Sequence, residues 1–180
     1  LRFQIAATVV LVVIEILYFS RPQIRILSTR IFNCIMISAL IYLAFDYATV
    51  FSLVYYDSFP KWLVRLLHQG FIFSFEATFL FIYIFLDVKS HNQRRLSSAK
   101  RAFVHSIAFI SILVVIFGKI EYRITEDLVY SYGPVVNFVY FFIALLTIIT
   151  IVSALKNYHK VEMRRISSYV LFSMMLWIVF

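Results

Sequence analysis

Three carboxylic acids lie within long apolar stretches of this 180-residue sequence, at Glu15, Asp46 and Glu76. An ionisable side chain inside a bilayer is costly to bury and is a functional candidate by default. No Lys or Arg lies near the middle of the same stretches to neutralise these acids. Such an acid can bind a polar ligand group, hold a proton, or hydrogen-bond to a neighbouring helix and only fix its packing. The sequence leaves these roles open.

Each acid has polar neighbours at helical spacing, so each set forms a stripe on one helix face. The three stripes are Thr8, Glu15 and Tyr18; Ser38, Tyr42, Asp46 and Thr49; and Gln69, Glu76, Tyr83 and Asp87. Stripes on three consecutive helices predict faces that turn toward each other and enclose a polar interior. Depth along each helix places Asp46 in the outer half, Glu76 near the middle and Glu15 in the inner third. We therefore expect a pocket open to the outside that includes Asp46 and Glu76.

The candidate ligand-binding residues follow from this pocket. They are Tyr42, Asp46, Gln69 and Glu76, with Tyr130 and Tyr132 at the rim. These two tyrosines belong to the connection 118–134. The simpler interpretation of this connection is a helix start with an anchor at the membrane interface, and the functional interpretation is a lip over the pocket. No catalytic residue, metal site or cofactor is predicted, because the sequence has no Gly-rich phosphate loop, no Ser/His/Asp order and no metal-ligand spacing among its histidines and Cys34.

Helices must position these residues, and the composition favours helices that cross a membrane. Apolar residues make up 63% of the chain, charged residues 14%, and mean hydropathy is +0.91, which excludes a water-soluble globular domain. A span needs about 20 mostly apolar residues. Six runs approach or exceed that length, at roughly 3–19, 31–54, 63–86, 102–118, 134–155 and 168–180.

We therefore expect an all-α, polytopic transmembrane helix bundle. Residues 1–180 would form one membrane region, truncated at both ends, with six visible spans and a seventh in the intact region. The 3 glycines and 3 prolines, Gly70 included, are expected at helix ends or in connections. Unbroken helices without a small-xxx-small glycine seam weigh against a transporter with broken helices, without excluding one.

The distribution of basic residues predicts the orientation. Most of the 17 lysines and arginines lie in the odd-numbered connections, around residues 21–30, 89–101 and 156–165. Because short cytoplasmic loops retain Lys and Arg, the amino terminus should lie outside. The net charge of +8 then reflects orientation and contact with anionic inner-leaflet lipid rather than nucleic acid binding.

Several short motifs resemble the amino-terminal membrane regions of bacterial signalling proteins. They are Tyr130-Ser-Tyr-Gly-Pro134, the connector from Lys156-Asn-Tyr-His-Lys160 to Arg165, and Asn33 with Asp46 on the second helix. The resemblance implies a multi-helix input region in the bacterial cytoplasmic membrane. In such proteins a cytoplasmic GGDEF diguanylate cyclase follows, and sometimes an EAL phosphodiesterase or a histidine kinase. They commonly act as homodimers, although no residue here identifies a dimer face.

A sensory input domain is the resulting functional hypothesis. An extracellular or membrane ligand in the outward-facing pocket would bias helix packing, and a cytoplasmic effector domain after the carboxyl end would read the change. No GGDEF or EAL string occurs in these 180 residues, so this stretch itself should have no catalytic activity. Two alternatives remain open: a small proton-coupled transporter that uses Glu76 and Asp46, and a ligand-free membrane scaffold subunit.

Overall fold

The helices define the architecture. A computed structural model describes residues 2–24, 26–91, 96–124, 129–159 and 163–170. Its helices are α1 (Arg2–Phe19), α2 (Leu27–Val54), α3 (Lys61–Ser90), α4 (Ser98–Phe117) and α5 (Pro134–Lys156), with a 3-10 turn at Tyr56–Ser58. Residues 163–170 are also helical. Two strands, β1 (Glu121–Ile124) and β2 (Val129–Tyr132), lie between α4 and α5.

The helical bundle expected from the apolar runs is present. Within the described ranges, α2, α3, α4 and α5 are long and apolar enough to cross a membrane. The first predicted span corresponds to α1. Its apolar part, Thr8–Phe19, is too short to count as a fifth candidate span. The predicted run 168–180 lies outside the described residues except for 168–170. The structure thus supports a helical membrane bundle with four candidate spans, and the expected six spans and outside amino terminus stay predictions.

Helix α3 is the centre of the bundle. It packs along α2 over most of its length and also contacts α4 and α5. The main apolar core is built from α3, α4 and α5, and its buried members are Ile72, Phe79, Val115, Val135, Val139, Phe142, Ile143 and Leu146. A smaller cluster joins Leu86, Ala154 and Met163, so the segment 163–170 packs against the same three-helix unit.

Contacts at both ends show that α3 and α4 are antiparallel. Near the start of α3, Arg65 Nη2 donates to the carbonyls of Ile116 and Gly118 at 2.9 and 3.1 Å. Near the end of α3, Asp87 forms an ion pair with Lys100 in the first turn of α4. The short connection between these helices therefore lies at the opposite end of the bundle from the hairpin.

Gly70 corrects the expectation that every glycine lies at a helix end. It lies inside α3, and the helix continues unbroken through it. A Cβ at this position would overlap the Phe45 ring of α2. Gly70 and Ser74 also form a small-xxx-small pair that faces α2, a feature the sequence pattern was not expected to contain. Close approach of α2 and α3 explains why a glycine occupies this site.

A β-hairpin replaces the irregular connection expected between α4 and α5. Strands β1 and β2 pair antiparallel, with Glu121 opposite Tyr132 and Ile124 opposite Val129. Gly133, at φ +113°, turns the chain into α5 in a conformation that favours glycine. Pro134 then occupies the first turn of α5, where its missing N–H costs no helical hydrogen bond.

Candidate functional site

The polar stripe of α1 faces α2. Tyr18 donates its hydroxyl hydrogen to Asn33 Oδ1 at 2.8 Å, and the hydroxyls of Thr8 and Tyr47 lie 3.0 Å apart. Glu15 is buried on the same stripe, and none of the described side chains or backbone groups forms a hydrogen bond with its Oε1. The predicted stripe is thus used in helix contact.

The polar stripe of α2 faces α3. Thr78 donates to the Ser38 hydroxyl oxygen at 3.0 Å. The ring of Tyr42 stacks on Phe75 with centroids 4.9 Å apart. Asp46 lies one turn after Tyr42 and is partly buried. Two predicted ligand-binding residues, Tyr42 and Asp46, therefore lie on the α2 side of the bundle.

The polar stripe of α3 faces α4 rather than α2. Gln69 Nε2 donates to the Val115 carbonyl at 2.9 Å, and Ser111 donates its hydroxyl hydrogen to Glu76 Oε2. The expected common interior is therefore absent from the described bundle: each stripe pairs with the next helix along the chain. Gln69 and Glu76 lie on a different face of α3 from the one that meets Tyr42. Whether any of these residues binds a ligand stays a prediction.

Gln69 has a structural task in this arrangement. Its amide nitrogen is directed at the carbonyls of Val115 and Ile116, at 2.9 and 3.5 Å. Arg65, one turn earlier on α3, binds the next carbonyls of the same helix end. The last carbonyls of a helix lack intrahelical partners, so these two side chains cap the carboxyl end of α4.

Glu76 is a buried acid in the middle of α3, the most central helix of the bundle. Its side chain is buried, with 5% of the residue surface exposed, and its Oε1 has no hydrogen-bond partner in the part of the chain that the structure describes. A cavity of about 250 Å³ adjoins it between α3, α4 and α5. The walls are mainly apolar and comprise Phe73, Ala77, Leu80, Ala108, Ile112 and Phe142, together with Glu76 and Ser111.

The lining of this cavity limits the kind of ligand that it would favour. A buried polar oxygen without a partner carries a desolvation penalty that a hydrogen-bond donor would relieve. The apolar walls favour a ligand with little other polarity. The cavity therefore suits a small, largely apolar molecule with one hydrogen-bond donor. In the described part of the chain, no three His, Cys, Asp or Glu side chains are grouped so as to hold a metal ion.

The predicted rim residues belong to the hairpin. Tyr130 pairs with Arg123 in the strand register, and its side chain lies outside the described residues. Tyr132 is 43% exposed. Between them, Ser131 lines a cavity of about 220 Å³ whose inner wall includes His68 and Phe75. The hairpin thus adjoins a separate cavity at the end of the bundle where α3 and α5 begin, apart from the one beside Glu76.

Two residues at the hairpin end of the bundle were not predicted as site residues. His68 is buried, and its ring lies 4.8 Å from that of Tyr122 in an edge-to-face arrangement. The spacing of His68, Ile72 and Phe75, at i, i+4 and i+7, is the sequence signal that places them on one face. Tyr122 had no such signal, because its position depends on the pairing of β1 with β2.

Comparison with known proteins gives no assignment: no family model, curated protein or solved structure matches this chain.

Proposed function

We propose that this chain is the membrane-embedded input region of a bacterial signalling protein in the cytoplasmic membrane. In this proposal, the position of α4 reports the state of the Glu76 site to a cytoplasmic effector domain. The contact between Ser111 and Glu76 carries the proposal, because it attaches the middle of α4 to α3 and leaves the second carboxyl oxygen of Glu76 buried without a hydrogen-bond partner among the described residues.

Helix α4 is suited to move because it packs loosely. Within the apolar stretch of α4 that could span a membrane, 11% is buried in the protein, against 44% in the corresponding stretch of α3. Polar contacts attach it to α3 at three levels: Lys100 with Asp87, Ser111 with Glu76, and the Val115 carbonyl with Gln69. A helix held by a few discrete contacts can shift between two packings when one contact changes, which is a common basis of switching.

A ligand in the Glu76 cavity would act through differential affinity. Binding shifts the equilibrium between two packings only if the ligand prefers one of them. A hydrogen bond from the ligand to Glu76 would compete with the one from Ser111. Interhelical hydrogen bonds in membranes contribute about 0.6–1.7 kcal/mol, so loss of this one would change the ratio of the two packings about 3- to 20-fold.

The effector proposal depends on the family resemblance. The segments 130–134 and 156–165 resemble input regions that precede a GGDEF diguanylate cyclase, and such proteins commonly act as homodimers. We propose that enzyme as the effector, with the segment 163–170 as the start of the output path because it packs against α3 and α5.

A proton-coupled transporter is the second candidate, favoured by one observation: Glu76, inside a candidate span, is a buried carboxyl with one oxygen that has no partner among the described residues. Against it, the four candidate spans are continuous helices without the half-helix ends that many transporters use. The same variants separate the two proposals.

The test compares Glu76→Gln and Ser111→Ala with Ser106→Ala in the full-length protein expressed in its membrane. Ser106 is a matched control, because it lies on α4 with an exposed side chain. We expect the first two variants to change cellular cyclic di-GMP by about 3- to 20-fold, and Ser106→Ala to leave it unchanged. Membrane-fraction yield controls for insertion.

Two results would contradict the signalling proposal. One is unchanged cyclic di-GMP in both Glu76→Gln and Ser111→Ala at normal yield. The other is loss of pH-driven solute uptake by vesicles of Glu76→Gln with unchanged cyclic di-GMP, which would favour the transporter.

A further inference from the structure

A third cavity lies at the end of the bundle where α3 ends, α4 begins and α5 ends. Its volume is about 390 Å³. Three helices supply its polar lining, which includes Tyr83, Asp87, His91, Lys100, Lys156 and Asn157. We call it the inner pocket, since the basic residues of the sequence predict that this end faces the cytoplasm.

The charges of the inner pocket do not balance. Asp87 is the one acidic side chain among the described residues that line it, and it is 4% exposed. Lys100 forms an ion pair with Asp87, as a buried carboxylate requires. Lys156 adds a second positive charge, and the described lining offers it no acidic residue besides Asp87. His91 adds a ring whose Nδ1 lies 2.9 Å from the Asp87 carbonyl oxygen.

The remaining lining supplies both donors and an apolar wall. Asn157 donates to the Ser153 carbonyl at 2.9 Å, which fixes its amide at the mouth of the pocket. Ile149 and Val152 of α5 form the apolar wall, and Val152 is 44% exposed. The pocket thus adjoins a surface of α5 that faces lipid if α5 crosses the membrane.

We propose that the inner pocket binds a phosphate-bearing anion, presented by the headgroup of an anionic phospholipid. Lys156 would contact the phosphate as a point charge, with the Asn157 amide beside it, while Asp87 holds Lys100 in place at the opposite wall. The acyl chains would follow the apolar surface of α5 at Val152. Basic pockets between spanning helices on the cytoplasmic side commonly hold anionic headgroups. This proposal does not depend on the signalling role.

The test measures lipid retained by the purified full chain in detergent, by native mass spectrometry, after addition of phosphatidic acid or phosphatidylcholine. Detergent removes the continuous anionic surface of the leaflet, and a control lysine outside the pocket accounts for the general attraction of basic residues to anionic lipid. We expect preferential retention of phosphatidic acid, reduced about fivefold in Lys156→Gln and restored in Lys156→Arg.

Lys89→Gln is the matched control, because Lys89 lies at the same end of α3 but does not line the pocket. It should retain phosphatidic acid like the unmodified chain. Competition with inorganic phosphate distinguishes the sources: no displacement supports the lipid headgroup, and displacement of lipid in the unmodified chain but not in Lys156→Gln supports a soluble phosphate at the same site. Equal retention of both lipids, or equal loss in Lys89→Gln and Lys156→Gln, would overturn the proposal.

Discussion

Tyr122 carries a buried hydroxyl group that has no hydrogen-bond partner among the residues that the structure describes. Its ring lies between those of His68 and Tyr56, with centroids 4.8 and 6.1 Å away. Burial, helped by the neighbouring Tyr56, raises the pKa of the Tyr122 phenol to about 12, although Arg65 opposes the shift. The folded protein therefore favours the neutral phenol.

The sign of the pH dependence follows from that pKa. An unfolded tyrosine ionises near pH 10, so the preference for neutral Tyr122 contributes fully to stability below pH 10. That contribution is lost as the pH rises from 10 to about 12. We expect the Tyr122→Phe variant to lose less of its free energy of unfolding than the unmodified chain as the pH rises through this range.

At neutral pH the same substitution should be neutral or stabilise by up to ~1 kcal/mol, since it removes a buried hydroxyl that has no partner. Thermal unfolding in detergent at neutral and alkaline pH measures both effects. Tyr132→Phe is the control, because its ring is 43% exposed. A clear loss of stability in Tyr122→Phe at neutral pH would show that the hydroxyl has a partner after all.

The sequence identified polar residues correctly as members of helix faces but not the helix that each face meets. Periodicity groups Gln69 with Glu76 because both lie on one side of α3, and the structure places both against α4. The identity of the partner depends on packing over the whole bundle. For that reason Glu76 was expected to share a pocket with Asp46 of α2, whereas its hydrogen bond comes from Ser111 of α4.

Among the elements, the contact between α2 and α3 depends on small side chains. Gly70 allows the Phe45 ring to lie against the backbone of α3. Eight residues further along α3, Thr78 reaches Ser38 across the same interface. Small residues and interhelical hydrogen bonds are the usual sources of helix association in membranes, where burial of apolar surface gives little.

We expect Gly70→Ala to lower the free energy of unfolding by about 1–3 kcal/mol, because the added methyl group displaces the Phe45 ring from a packed interface. A double-mutant cycle with Phe45→Ala tests this reason. In the Phe45→Ala background the ring that would clash is absent, so Gly70→Ala should change the free energy of unfolding much less. Unfolding in mixed micelles, monitored by circular dichroism, gives the free energy of unfolding of the unmodified chain, the two single variants and the double variant. If Gly70→Ala lowered the free energy of unfolding equally in both backgrounds, contact with the Phe45 ring would not be the cause.

Long elements were predictable from hydropathy, and short ones were not. The apolar run 134–155 became α5 at Pro134–Lys156, and 63–86 became α3 at Lys61–Ser90. These helices continue into polar ends because helical hydrogen bonds extend past the apolar core. The hairpin was missed, since its alternating Glu121-Tyr-Arg-Ile124 is only 4 residues long and lies between two strong apolar signals. Gly70 was placed at a helix end because glycine is read as a breaker unless its packing is known.

At the scale of the whole molecule, the two ends of the bundle differ in chemistry. One end carries the hairpin and the Arg65 cap of α4, and the other carries the inner pocket with Asp87 and Lys100. The basic residues predict that the second end faces the cytoplasm. The contacts between α3 and α4 require, in addition, that Lys61 and Lys119 lie at the same end, independent of orientation.

Labelling of single cysteines tests both statements. In a Cys34→Ser background, we expect a membrane-impermeant maleimide to label Lys61→Cys and Lys119→Cys on intact cells, and Arg101→Cys only after permeabilisation. All three side chains are exposed, so the reagent can reach them. Reversed labelling of all three would invert the orientation and remove the cytoplasmic assignment of the inner pocket. Labelling of Lys61→Cys and Lys119→Cys from opposite sides would contradict the antiparallel pairing of α3 with α4, and the Ser111–Glu76 contact with it.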